Sequence, residues 1–113
     1  MTELSAGTFR TVDAATAIGD DNVAPYYLTL GDRKLRVSFA RVDGRVYAFG
    51  DLCTCASETC PLSGGLRTGP TIMCQCHGSR FDIRTGAVVN GPATEPLTVY
   101  AVQEADGEIQ IRL

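Results

Sequence analysis

MCQCHGSRFDIRTGAVVNGPATEPL, residues 73–97, holds Cys74, Cys76 and His77, the only histidine of the 113-residue chain. A second stretch, DLCTCASETCPLSGG at residues 51–65, holds Cys53, Cys55 and Cys60. Together they contain all five cysteines. Thiolates and imidazole are soft and borderline donors, and two irregular loops carrying them can converge on one metal. On spacing alone the ordinary reading is a tetrahedral Cys₃His zinc site.

The bulk of the chain narrows the choices. Its length suits one domain, residues 1–113, with a real core but with something to gain from a metal or a crosslink. With 44% hydrophobic and 20% charged residues it reads as an ordinary globular protein. A net charge of −3 offers no basic stripe for phosphates, which argues against nucleic acid. No run of apolar residues is long enough to cross a membrane as a helix. The first residues lack a basic segment followed by an apolar one, so a cytoplasmic location is expected. In a reducing compartment, clustered cysteines point to metal or redox chemistry before a structural disulfide framework.

Around the two clusters the pattern is β. Segments 9–12, 26–30, 35–42, 45–49, 71–73, 80–83, 87–89, 97–102 and 108–112 carry alternating or β-branched character, and only residues 14–17 allow a helical turn. Asp43-Gly44 is a strong hairpin signal, and Asp106-Gly107 marks another turn. Leu35, Val37 and Phe39 are expected on one face of the first hairpin. The fold class predicted is all-β, a small antiparallel sandwich or barrel.

The residues after His77 carry a specific resemblance. Cys74, His77-Gly78, Phe81-Asp82, Thr85-Gly86 and the Pro92-Ala93…Pro96-Leu97 loop follow the order of the second half of a Rieske-type [2Fe–2S] domain. FARVDGRVYAFGDLCT, residues 39–54, resembles the strand pair leading to that family's first ligand loop. The resemblance implies a cluster-binding subdomain of two hairpin loops at about 51–65 and 72–83, with a shielding loop at about 90–97. In the family two cysteines hold one iron and two histidines the other. Here Cys55 stands where the first histidine is expected, and His77 alone cannot supply two.

Three ligand readings stay open. Cys55 replaces the histidine, giving Cys53 and Cys74 on one iron with Cys55 and His77 on the other. Cys60 enters instead, using the slack of residues 56–59. Or the site holds zinc or nothing. The resemblance also implies a Cys60–Cys76 disulfide clamping the two loops, against two reduced thiols. It places glycines 64, 65 and 78 where backbone amides approach sulfur, with ordinary turn glycines the alternative at Gly64 and Gly65. It places Ser79 where a hydroxyl donates to a bridging sulfide, and Pro92 in the shielding loop. Phe81 stands where high-potential relatives carry a tyrosine, so one hydrogen bond to sulfur is lost and a lower potential is expected.

The function implied is one-electron carriage by a small ferredoxin-like protein, from a flavin-type reductase to a terminal oxygenase, rather than catalysis. An extra thiolate should pull the potential below the roughly −150 to +300 mV of two-histidine centres, toward the about −400 mV of all-cysteine ones. The rivals are a zinc or metal-free binding module, or the small subunit of a larger enzyme. A thiol–disulfide switch lacks its usual C-x-x-C motif.

Overall fold

The computed structural model describes residues 9–19, 22–30, 32–51, 61–75, 78–91 and 93–112. These form strands β1 (Phe9–Ala14), β2 (Val23–Leu30), β3 (Arg33–Val42), β4 (Arg45–Gly50), β5 (Leu66–Thr68), β6 (Thr71–Met73), β7 (Arg80–Asp82), β8 (Val88–Asn90), β9 (Val99–Ala105) and β10 (Glu108–Arg112). Two single 3₁₀ turns, Ala15–Ala17 and Leu62–Gly64, are the helical content of the described residues. The architecture is therefore all-β, as the alternation predicts. Among the described residues no helix is long and apolar enough to cross a membrane.

The strands make two antiparallel sheets, a larger one in the order β1-β10-β9-β4-β3-β2 and a smaller one in the order β5-β6-β7-β8. Both Asp-Gly turns are of the mirror-image kind that matches strand twist. Asp43 and Gly44 have φ of 52° and 82°, and Asp106 and Gly107 have 55° and 77°.

The larger sheet curls around its own core. Val37, Phe39, Val46, Ala48, Ile109 and Ile111 pack inside it, with Ile18 buried in the same cluster. Its two edges meet through side chains instead of a ladder. Arg10 Nη1 on β1 donates to Thr29 O on β2 at 2.5 Å, and Tyr26 Oη donates to Asp13 Oδ2 at 2.6 Å. A register jump between Thr11 and Asp13 marks a bulge in β1. The result is a barrel left open along one line.

A second core lies between the sheets. Ala40, Val42 and Phe49, on the outer face of β3 and β4, meet Ile72, Phe81 and Ile83 of the small sheet, together with Leu62, Ala93 and Leu97 from connecting segments. Phe39, Phe49 and Phe81 are fully buried, each stabilising by about 1.5–3 kcal/mol on transfer.

Several boundaries differ from the sequence reading for physical reasons. Leu35, Val37 and Phe39 do share one core, but β3 is buried on both faces, because the small sheet covers its outer side. β2 begins at Val23, upstream of Pro25. As an edge strand it tolerates a residue with no N–H to donate. β9 begins at Val99, because Leu97 turns its N–H to Gly86 O at 2.8 Å and buries its side chain between the sheets. β5, three residues long, is too short to show a period and was not predicted.

Candidate metal centre

The small sheet and the end of β4 bring three connecting segments to one place, and hydrogen bonds fasten the base of each. After β4 the chain reaches Asp51, which is completely buried. Leu62 N donates to Asp51 O at 2.6 Å, so the segment that leaves at residue 51 is tied where it returns. The Asp51 carboxylate reinforces the closure. Its Oδ1 accepts from Ser63 N at 2.7 Å and Ser38 Oγ at 2.6 Å, and its Oδ2 accepts from Ser63 Oγ at 2.9 Å and from Arg36 Nε. The guanidinium of Arg36 sits above its usual range, first through the hydrogen bond to Asp51 and also through Tyr27.

The second segment is the tip of the β6–β7 hairpin. Cys74 N donates to Ser79 O at 2.7 Å, and Gly78 N donates back to Cys74 O at 2.9 Å. Gly78 has φ of +77°, a conformation that only a residue without Cβ adopts without strain. Cys74 and Ser79 are fully buried at the root of this tip. Cys74 belongs to the core between the sheets, beside Leu62 and Phe81.

The two segments touch through backbone. A Cβ on Gly65 would stand 2.0 Å from Met73 O and 3.1 Å from Leu62 O. Glycine at 65 is therefore a packing requirement that brings the return of the first segment against the residue preceding Cys74. Gly64 has nothing described within 4 Å of a Cβ. The third segment follows β8. Ala93 N donates to Ser79 Oγ at 3.0 Å, and Ala93 and Leu97 are buried. The β7–β8 turn that supports it is stiffened by Arg84, whose Nη2 lies 3.0 Å from Asp82 Oδ2 and holds that carboxyl below its usual pKa.

Of the residues singled out in the sequence, Cys74, Gly65, Gly78, Ser79 and Phe81 thus meet around one point, with Gly64 adjoining. Phe81 is buried opposite Ile72 and contributes no hydroxyl. Cys53, Cys55, Cys60, Cys76, His77 and Pro92 lie outside the described residues, so the full ligand set and the Cys60–Cys76 pairing do too. Sequence reading overlooked Asp51, because an aspartate at a strand end looks like an ordinary turn residue. Its distinguishing partners, Arg36 and Ser38, sit on another strand.

The donor set fits an iron–sulfur cluster. Cys74 offers a buried thiol at the root of the hairpin tip. The other candidates are thiols and one imidazole, the side chains from which iron–sulfur ligands are drawn.

The comparisons agree. A model of the Rieske [2Fe-2S] domain matches residues 8–101. The chain is 28% identical over 113 residues to the anthranilate 1,2-dioxygenase ferredoxin subunit of Burkholderia cepacia, spanning 100% of this chain and 99% of the relative. Its fold superimposes on a Sphingomonas yanoikuyae B1 ferredoxin with a TM-score of 0.78 and 27% identity, covering 94% of this chain and 99% of the other. A chain from a complex of reduced oxygenase and oxidized ferredoxin in carbazole 1,9a-dioxygenase gives a TM-score of 0.78 at 27% identity, with 92% of both chains covered. The cofactor of such domains is a [2Fe–2S] cluster. With four-fifths of its length matched and three fastened segments converging on Cys74, this chain belongs to the Rieske [2Fe-2S] domain family.

Proposed function

We propose that the protein is a one-electron carrier, a single domain over residues 1–113, that accepts electrons from a flavin-type reductase and delivers them to a terminal oxygenase. The observation that carries this reading is the convergence on Cys74 of three segments fastened by Asp51, Gly78 and Ser79, within a fold matched end to end by ferredoxins. Relatives named as ferredoxin subunits of dioxygenases, and a likeness to a chain seen with an oxygenase, support the acceptor. They support an electron-transfer component rather than an enzyme.

Cys53, Cys55, Cys74 and His77 would hold the cluster, and Cys60 and Cys76 would form a disulfide across the two loops. When bound, a [2Fe–2S] cluster supplies reversible one-electron redox chemistry. The chain's own residues set its surroundings. Leu62, Ile72, Phe81 and Leu97 form a dry floor, and burial of Cys74 keeps water from that side. Ser79 holds the shielding segment through Ala93. Cys55 adds a thiolate charge where two-histidine relatives have neutral imidazole, which disfavours taking up an electron.

Two experiments test this. The reduced protein, mixed with a Rieske-type terminal oxygenase component, should be reoxidised in a single phase whose rate rises with oxygenase concentration. A rate independent of the oxygenase would remove the acceptor from the reading. Cys55→His should raise the reduction potential by about 100 mV or more, on the scale of the gap between the two ligand classes. An unchanged potential would show that Cys55 is not a ligand.

A further inference from the structure

We propose that Asp51 is a positioning residue for the cluster, tying the first cysteine-bearing segment to β3 and β4 and setting, against Arg36, the electric field in which the irons are reduced. The inference rests on the electron-carrier reading and adds to it a residue that is not itself a ligand.

A buried carboxylate is costly unless it is paired and hydrogen-bonded. Asp51 meets both conditions with four donated hydrogen bonds, from Ser38 Oγ, Ser63 N, Ser63 Oγ and Arg36 Nε. Stability alone does not call for this, because a buried ion pair seldom outperforms packed apolar side chains of the same volume. What the carboxylate achieves is placement. Two of its bonds come from Ser63, where the segment returns, and two from β3, while its own residue lies two positions before Cys53. The base of the first cysteine-bearing segment is thereby fixed to the larger sheet by the protein itself.

The charges are arranged asymmetrically. The Asp51 side chain has no exposure, whereas that of Arg36 is 24% exposed. Arg36 points outward, donating from Nη1 to Tyr27 Oη at 2.5 Å with its guanidinium carbon 5.2 Å from the Tyr27 ring centroid. Tyr27 itself is 67% exposed. The negative end of the pair is dry and lies two positions in sequence before Cys53. The positive end reaches water, where its field is screened more strongly. The net field at the cysteine-bearing segment is therefore negative and opposes reduction.

The test is the reduction potential of the purified, cluster-loaded protein and of two variants, with iron counted in each. Asp51→Asn keeps the size of the side chain and removes its charge. If Cys53 is a ligand, two residues of chain limit the separation of that charge from its iron to about 14 Å, so at an effective dielectric constant of about 20 its removal should favour reduction roughly tenfold. For one electron that is about 59 mV upward. Arg36→Gln removes the opposing charge from a more hydrated position, so it should shift the equilibrium the other way and by less. A role confined to stability would lower the melting temperature of both variants and leave both potentials in place. Should Asp51→Asn fail to hold iron, the sign of the Arg36→Gln shift decides. A loaded Asp51→Asn within twofold of the parent equilibrium, or an Arg36→Gln shift that is absent or upward, would overturn the proposal and leave the electron-carrier reading standing. An iron-free parent would overturn both.

Discussion

Replacing Gly65 by alanine isolates the contact that joins the two cysteine-bearing segments. The added Cβ would stand 2.0 Å from Met73 O and 3.1 Å from the Met73 carbonyl carbon. Carbon and oxygen rarely approach closer than about 3.3 Å, so the backbones must part by roughly 1.3 Å. Neither side yields easily. Gly65 N is bonded to Leu62 O at 2.8 Å, and Met73 is paired with Leu66 on one side and Arg80 on the other. Relief therefore breaks β5 away from β6. Overpacking of this kind costs about 1–3 kcal/mol, and each lost strand hydrogen bond about 1 kcal/mol more. We expect a total of about 3 kcal/mol. At about 2.1 cal/mol/K of unfolding entropy per residue, a chain of 113 residues would melt about 12 °C lower. Thermal unfolding followed by circular dichroism, with iron measured on the same samples, reads both the stability loss and the opened site. Gly64→Ala is the internal control. Nothing described lies within 4 Å of its new Cβ, so its melting temperature should move by no more than about 2 °C. Equal melting temperatures for the two variants would refute the reasoning.

Other perturbations have equally definite outcomes. Ser79→Ala removes the acceptor of the Ala93 N–H, and both residues are buried; about 1–3 kcal/mol should be lost, read as denaturant midpoint at unchanged slope. Tyr26 has its pKa raised from 10.0 to about 12, by burial first and then by its bond to Asp13, so its contribution to stability is fully present below pH 10 and disappears as pH rises toward 12. In Tyr26→Phe the fall in melting temperature above pH 10 should be shallower than in the parent. Asp82, whose carboxyl is held low by Arg84, contributes stability that is present above its ordinary pKa of 3.8 and is lost as pH falls below it; Asp82→Asn should flatten that acid limb.

Much of this was legible in the sequence, and the misses have physical causes. The Asp-Gly turns, the closing strand Glu108–Arg112 and the Arg80–Asp82 strand follow from local signals that need no distant partner. Motif order in residues 74–97 singles out Gly78, Ser79 and Phe81 beside Cys74, and the structure bonds Cys74 to Ser79 and Gly78 through backbone and packs it with Phe81. Two features depend on distant chain and left no local mark. β3 is buried on both sides because the small sheet docks on its outer face, and no pattern within β3 announces that sheet. Asp51 looks like a turn residue until Arg36 and Ser38 are placed beside it by the β3–β4 pairing. Gly64 and Gly65 are indistinguishable in sequence. Only the approach of Met73 O separates Gly65, where a Cβ would clash, from Gly64, where none of the described residues would meet one.

The most direct measurement is the iron and acid-labile sulfide content of anaerobically purified protein, with electron paramagnetic resonance of the dithionite-reduced sample. Two irons and two sulfides per chain, with the signal of a reduced [2Fe–2S] centre, are expected. Stoichiometric zinc, or protein without iron or sulfide, would contradict the account.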